Sequence, residues 1–303
     1  MFRFLLLICL LAPVVANANQ EDLVAALQGT YSACVGIDDD LADLKKMAGI
    51  NTAVTAVGTA AGAGALVAGV KKTEVDKEIQ DIYKQICDLG GCNAESIRTM
   101  SDSQFEKIIK LMAQAQKTAE EKNKAQSLNV QLGQKQEESK KLGNWRTGLM
   151  AGNTLTNVAG AVVASKNKVD ADLQTQIDSC KEAVKNLKLV VMQARIDGVD
   201  VTEAENIINK CGEYDYVDVS KINNRAKGAT VSSVLGATTG AAGTIASVVA
   251  NKNNIGKNLD GAANVLAGAS TVASGVATVF NATQIAAIKK VADVAAQCTE
   301  VLK

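Results

Sequence analysis

Four stretches of this chain contain no Asp, Glu, Lys or Arg: Met47–Val70, Thr147–Ser165, Gly228–Ala250 and Gly261–Ile288. Each is made mostly of Gly, Ala, Ser, Thr and Val, and each is 19 to 28 residues long. Segments with so few large side chains cannot fill an ordinary core. They need another helix at close range, in protein or in lipid. Three of them carry a Gly-x-x-x-Gly step: Gly58/Gly62, Gly148/Gly152 and Gly236/Gly240. Residues four apart share one helix face, so these six glycines are the expected helix-packing positions.

The rest of the composition points to helix. Pro13 is the only proline, histidine is absent, and aromatic residues make up 3% of the chain. Apolar residues recur at helical spacing in Val75, Ile79, Ile82 and Ile86. They do so again in Val169, Leu173, Ile177, Val184, Leu187 and Val191. The expected fold is all-α: long antiparallel helical hairpins in an elongated, disulfide-braced bundle. About three degenerate Gly/Ala-rich hairpin repeats are expected, near residues 34–87, 92–180 and 211–298. Their tips are expected at VKKTEVDKEI, SKNKVDADL and ANKNNIGKNL, each followed by a returning limb. Capping boxes are expected at Ser103/Glu106 and Thr202/Glu205, and GEYDYVDVS reads as a polar loop. A helix starting at Gln104 is expected to run to Ser165, with Gly133 and Gly143 as points of interruption.

Met1–Ala18 has the layout of a signal peptide. Arg3 precedes an apolar run, and Ala16-Asn17-Ala18 is a small-residue cleavage site. The remainder, 19–303, is expected to form one domain and to be exported to the periplasm, the cell surface or the medium. Leaving out Cys9, six cysteines remain, an even number that suits disulfides in an oxidising compartment. The preferred scheme ties the end of each unit to the start of the next: Cys87–Cys92, Cys180–Cys211 and Cys34–Cys298. It rests on the near-symmetric placement of Cys180 and Cys211 about RIDGVD. The rival scheme closes each unit on itself: Cys34–Cys87, Cys92–Cys180 and Cys211–Cys298.

No enzymatic chemistry is legible. Without histidine there is no Ser-His or Cys-His nucleophile. Asp38–Asp40 lacks the alternating spacing of a calcium loop and reads as the acidic start of a helix. The cysteines lack zinc-site spacing, and no phosphate-binding loop is present. No cofactor, metal or small-molecule substrate is therefore expected, and zero net charge gives no reason to expect nucleic acid as a partner. The preferred functional reading is a secreted, non-enzymatic structural or interaction protein, self-associating or binding another protein through its small-residue helix faces. The alternative is a membrane-active protein, pore-forming or translocator-like, that inserts its Gly/Ala-rich hairpins into a bilayer.

Overall fold

The computed structural model describes residues 18–90, 118–253 and 257–303. It is 94% helical, with no strand among the described residues. In chain order the helices are α1 (Ala18–Cys34), α2 (Ile37–Gly90), α3 (Ala119–Lys166) and α4 (Ala171–Ile196). They are followed by α5 (Thr202–Cys211), a 3-10 turn (Gly212–Tyr216), α6 (Ser220–Asn253) and α7 (Lys257–Leu302). The four long helices α2, α3, α6 and α7 each supply a segment to both of two compact units. Unit 1 comprises the described residues up to Ala53, Gly160–Val231 and Ala277–Lys303; unit 2 comprises Val54–Ala159 and Ser232–Val276.

Several boundaries follow from local chemistry. Asp38, Asp39 and Asp40 occupy the first turn of α2, where negative charge meets the positive end of the helix. Gly36, at φ 99°, makes the turn from α1 to α2, and Gly198, at φ 77°, ends α4. Asp170 caps α4, its carboxylate accepting from the Leu173 amide at 2.8 Å. The turn at SKNKVDADL is thus present. The turn at KKTEVDKEI is not: α2 continues through it without a break. That stretch has neither glycine nor proline. It supplies its own i,i+4 ion pair, Lys72–Asp76 at 2.7 Å, and buries Val75, so nothing in it stops a helix. Gly133 and Gly143 lie inside α3 and do not interrupt it.

The expected cap at Thr202/Glu205 differs. Thr202 is already the first residue of α5. Val201 is the N-cap and makes no side-chain cap bond; Asp200, one residue earlier, accepts from the Thr202 amide at 3.0 Å and its hydroxyl at 2.7 Å. These two bonds, the amide first, hold the Asp200 carboxyl below the ordinary range. A capping box does occur at Thr118/Glu121, each side chain accepting from the other's backbone amide at 3.2 and 3.3 Å. The expected Ser103/Glu106 box, the expected signal peptide as far as Asn17, and Cys92 lie outside the described residues.

Unit 1 has an ordinary apolar core. α1 packs on α4, and Ile37, Leu41, Ile177, Leu187, Ile222 and Ile288 are fully buried. The expected loop GEYDYVDVS instead begins as a 3-10 turn that carries Tyr214 into this core. The disulfides also correct the preferred scheme. Cys34 is bonded to Cys180, not to Cys298, and Cys211 to Cys298, not to Cys180. α4 and α5 do not form a hairpin in register across RIDGVD; α4 lies against α1, which brings Cys180 to the end of α1. The Cys211–Cys298 pair belongs to the rival scheme. Cys87 is also disulfide-bonded. The two described bridges close chain separations of 146 and 87 residues, worth about 5 kcal/mol each on chain-entropy grounds.

The Tyr214 hydroxyl is buried with no hydrogen-bond partner among the described residues. Loss of hydration, and then the nearby Asp38 charge, push its pKa well above the usual tyrosine value. The folded state therefore holds the proton that the unfolded chain releases. Stability present at neutral pH should be lost as pH rises above about 10. Tyr214→Phe deletes an unsatisfied group at nearly constant shape, so it should leave the melting temperature unchanged or raise it and flatten the alkaline limb. A fall of more than about 1 kcal/mol in thermal denaturation would contradict the unpartnered hydroxyl.

Candidate functional site

Unit 2 is a bundle of α2, α3, α6 and α7 in which α2 and α6 run against α3 and α7. Gly58 faces Thr156 while Gly69 faces Arg146, and Gly236 faces Asn157 while Gly243 faces Met150. α3 and α7 run parallel and bond to each other across the bundle. Asn153 Nδ2 donates to Ser270 Oγ and Asn157 Nδ2 to Ser274 Oγ, both at 2.8 Å. Asn157 Nδ2 also reaches Asn153 Oδ1 at 2.7 Å, and Ser270 Oγ donates to the Gly236 carbonyl at 2.7 Å. All four of these side chains are buried.

The glycines create the space for this polar centre. A Cβ at Gly58 would sit 2.5 Å from Thr156 Oγ1, at Gly62 2.7 Å from Asn153 Nδ2, and at Gly236 2.7 Å from Asn157 Oδ1. At Gly240 it would meet Thr154 Oγ1 at 2.6 Å. Four of the six expected packing glycines therefore pack, against polar side chains rather than an apolar ridge. The other two do not: Gly148 and Gly152 have nothing within 4 Å of a built Cβ. They lie on the α3 face that also carries the exposed Trp145 and Leu155, turned away from Arg146, Met150 and Asn153.

One end of the polar centre is closed by a charged cluster. Arg146, fully buried, donates from Nη2 to Asp260 Oδ1 at 2.6 Å and from Nε to Ser247 Oγ at 2.9 Å. Lys72 meets the other Asp260 oxygen at 2.9 Å and Asp76 at 2.7 Å, and Ser139 donates to Asp76. Two cations thus face two carboxylates, with hydroxyls filling the remaining hydrogen-bond capacity.

The exterior of the same unit is aliphatic. Val57 is 61% exposed, Leu155 70%, Ile245 65%, Val265 72% and Val272 66%, so outward-facing aliphatics occur on all four helices. Beyond the charged cluster the polarity reverts. Ile82, Ile86, Leu128 and Leu132 are buried together, while Glu78, Lys135 and Glu138 pair on the surface. Within the uncharged runs, then, Asn, Ser, Gly and Ala face in, with Met150 packed between Ala65 and Ala267, and valines and other larger aliphatics are exposed on the outside.

Unit 1 offers a groove of about 540 Å³ between α1 and α4, lined by residues that include Asp22, Gly29, Asn186, Leu189 and Gln193. None of these is a nucleophile beside a base. The sulfurs of Cys34, Cys180 and Cys298 lie close together, but all three are held in disulfides. The five described cysteines are disulfide-bonded, and Gly58, Gly62, Gly236 and Gly240 lie at close helix contacts. The sequence patterns above do not single out Asn153, Asn157, Ser270, Ser274, Arg146, Asp260 or Trp145. Their signal was available: Asn and Ser four apart inside uncharged runs, and one arginine and one tryptophan at a run's edge. Comparison with protein-family models, curated proteins and solved structures gave no match.

If Asn153 fills the space over Gly62, Gly62→Ala should destabilise the full-length protein by about 1–3 kcal/mol. Gly148→Ala, in open space within a helix, should be neutral or stabilising by up to about 1 kcal/mol. Equal effects in thermal melts would contradict the packing. Arg146→Met leaves Asp260 with one of its two cations and should cost about 3 kcal/mol. Adding Asp260→Asn should recover part of that loss, and strict additivity of the two would argue against a coupled cluster.

Proposed function

We propose that this chain is a non-enzymatic membrane-inserting protein that lodges its Gly/Ala-rich helices in a lipid bilayer. The observation that carries the reading is the inverted polarity of unit 2, with Asn153, Asn157, Ser270 and Ser274 inside and aliphatics outside on every helix. In water that arrangement exposes what burial should reward and buries what water would solvate. In lipid the costs reverse. Helices there associate through close backbone approach and interhelical hydrogen bonds rather than by hiding apolar surface.

Further observations support the reading. Three helices are long and apolar enough to cross a membrane. Uncharged runs of 19 to 28 residues correspond to about 28–42 Å of helix, against a hydrocarbon core of about 30 Å. Lysines stand at the borders of the runs: Lys46 and Lys71, Lys141 and Lys166, Lys227 and Lys252, and Lys289. Such side chains reach from a helix end to the headgroups. Trp145, the only tryptophan, is 67% exposed just outside the Thr147–Ser165 run, where aromatic residues favour the bilayer interface. The modest hydrophobicity of Gly, Ser, Thr and Asn suits a protein exported before it inserts, and the disulfides suit an oxidising compartment. The soluble interaction-protein reading retains support from unit 1, whose apolar core and bridges are those of a water-soluble domain.

Trp145 is a built-in probe. On mixing the full-length protein with phosphatidylcholine–phosphatidylglycerol vesicles, its emission should shift to shorter wavelength. Lipids brominated near the headgroup should quench it more than those brominated at the chain terminus. The protein should float with the vesicles in a density gradient, and dye release would then separate a pore from an anchor. Unchanged emission, with the protein left at the bottom of the gradient, would sink the membrane reading and favour a soluble assembly.

A further inference from the structure

The two described disulfides of unit 1 are neighbours. The Sγ atoms of Cys34, Cys180 and Cys298 all lie within 4.8 Å of one another, and Cys298 is bonded to Cys211. All four cysteines are fully buried. They come from four helices: the last residue of α1, the middle of α4, the last residue of α5 and the C-terminal part of α7. α5 is the shortest of these, with ten residues, and leads directly into the 3-10 turn. Short helices hold together weakly by themselves, so this segment is the one whose local opening would uncover a bridge.

We propose that these four cysteines form one redox site in which two alternative sets of bridges exchange. The co-reactant is a dithiol reductant, a small-molecule dithiol or a protein of the Cys-x-x-Cys class. It reduces Cys211–Cys298 and is itself oxidised to a disulfide, leaving two thiols. Deprotonated Cys298 then attacks a sulfur of the adjacent Cys34–Cys180 bridge. A new bond forms from Cys298 to Cys34 or Cys180, the old S–S bond breaks, and the displaced sulfur leaves as a thiolate that takes up the proton. This second step involves no net oxidation. The covalent tie of α7 moves from α5 to α1 or α4, and α5 is released. In the closed fold, burial of all four sulfurs keeps reductants out, so exchange is tied to the opening of α5.

The test uses the full-length protein carrying Cys211→Ala, which presents a free Cys298 beside an intact Cys34–Cys180 bridge without any reductant. After incubation at mildly alkaline pH, acid trapping, alkylation and non-reducing digestion, Cys298 should be found linked to Cys34 or Cys180. The rate should be independent of protein concentration and rise about tenfold per pH unit below the thiol pKa. The companion variant Cys180→Ala frees Cys34 instead and should give Cys34–Cys298 with Cys211 alkylated. Circular dichroism is recorded on both. Complete alkylation of Cys298 in the first variant, with Cys34–Cys180 untouched, would overturn the proposal. Scattering of Cys298 onto Cys87 or Cys92 would do the same, since it would mean exchange through the unfolded chain.

Discussion

The structure of unit 2 depends on a carboxamide lying where a side chain would otherwise be. Asn153 and Asn157 reach Ser270 and Ser274 across the bundle because Gly62 and Gly236 have no Cβ to block them. Each glycine costs up to about 1 kcal/mol of helix propensity relative to alanine, so the packing must return more than it loses. The return is satisfaction of buried polar groups, whose isolation would cost about 1–3 kcal/mol each. Small residues and polar residues are thus parts of one device: the first make the space and the second fill it.

This device explains why the hydrophobic pattern looks weak in sequence and yet yields long helices. In unit 1 the apolar stripe of α4 faces inward in the familiar way, with Leu173, Ile177 and Leu187 buried. In the uncharged runs the inward stripe is Asn, Ser, Gly and Ala, with Met150 a large apolar side chain buried beside Ala65 and Ala267, and valines such as Val57 and Val265 point out. A reader who looks for apolar residues to find the core finds the wrong face. The change of pattern coincides with the loss of charge, and that coincidence is what the proposed membrane reading rests on.

Much of the fold was legible all the same. The scarcity of proline and the three-to-four spacing led to helices, and Gly58, Gly62, Gly236 and Gly240 pointed to close approach. The polar stretch after Val70 suggests a turn only if polarity is equated with a breaker; KKTEVDKEI contains only residues a helix accepts, and the helix runs through it. Gly148 and Gly152 have no neighbour within 4 Å of a built Cβ, since a glycine pair shows that close approach is allowed, not that another helix is there. Of the described disulfides, Cys211–Cys298 is among the pairings weighed from sequence, whereas Cys34–Cys180 is in neither scheme. Symmetry about RIDGVD placed Cys180 opposite Cys211, but pairing is set by which helix covers α4, a tertiary fact. The polar centre could have been suspected from Asn and Ser four apart, but not its partners, since α3 and α7 meet across 117 residues of chain.

The repeat of the polar centre has a consequence for how the helices keep their alignment. Asn153 and Asn157 are one turn apart, and so are Ser270, Ser274, Gly58, Gly62, Gly236 and Gly240 within their pairs. Sliding α7 along α3 by one turn, about 5.4 Å, would set Asn153 beside Ser274 and recreate much of the same bonding. The centre by itself would tolerate a ladder of equivalent rungs. The charged end would not. Asp260 alone bridges Arg146 and Lys72, and the residues one turn either side of it, Gly256 and Asn264, carry no charge. A slide would strand a buried arginine. The cluster therefore acts as the bolt of the bundle, fixing which of several nearly alike alignments the long helices adopt.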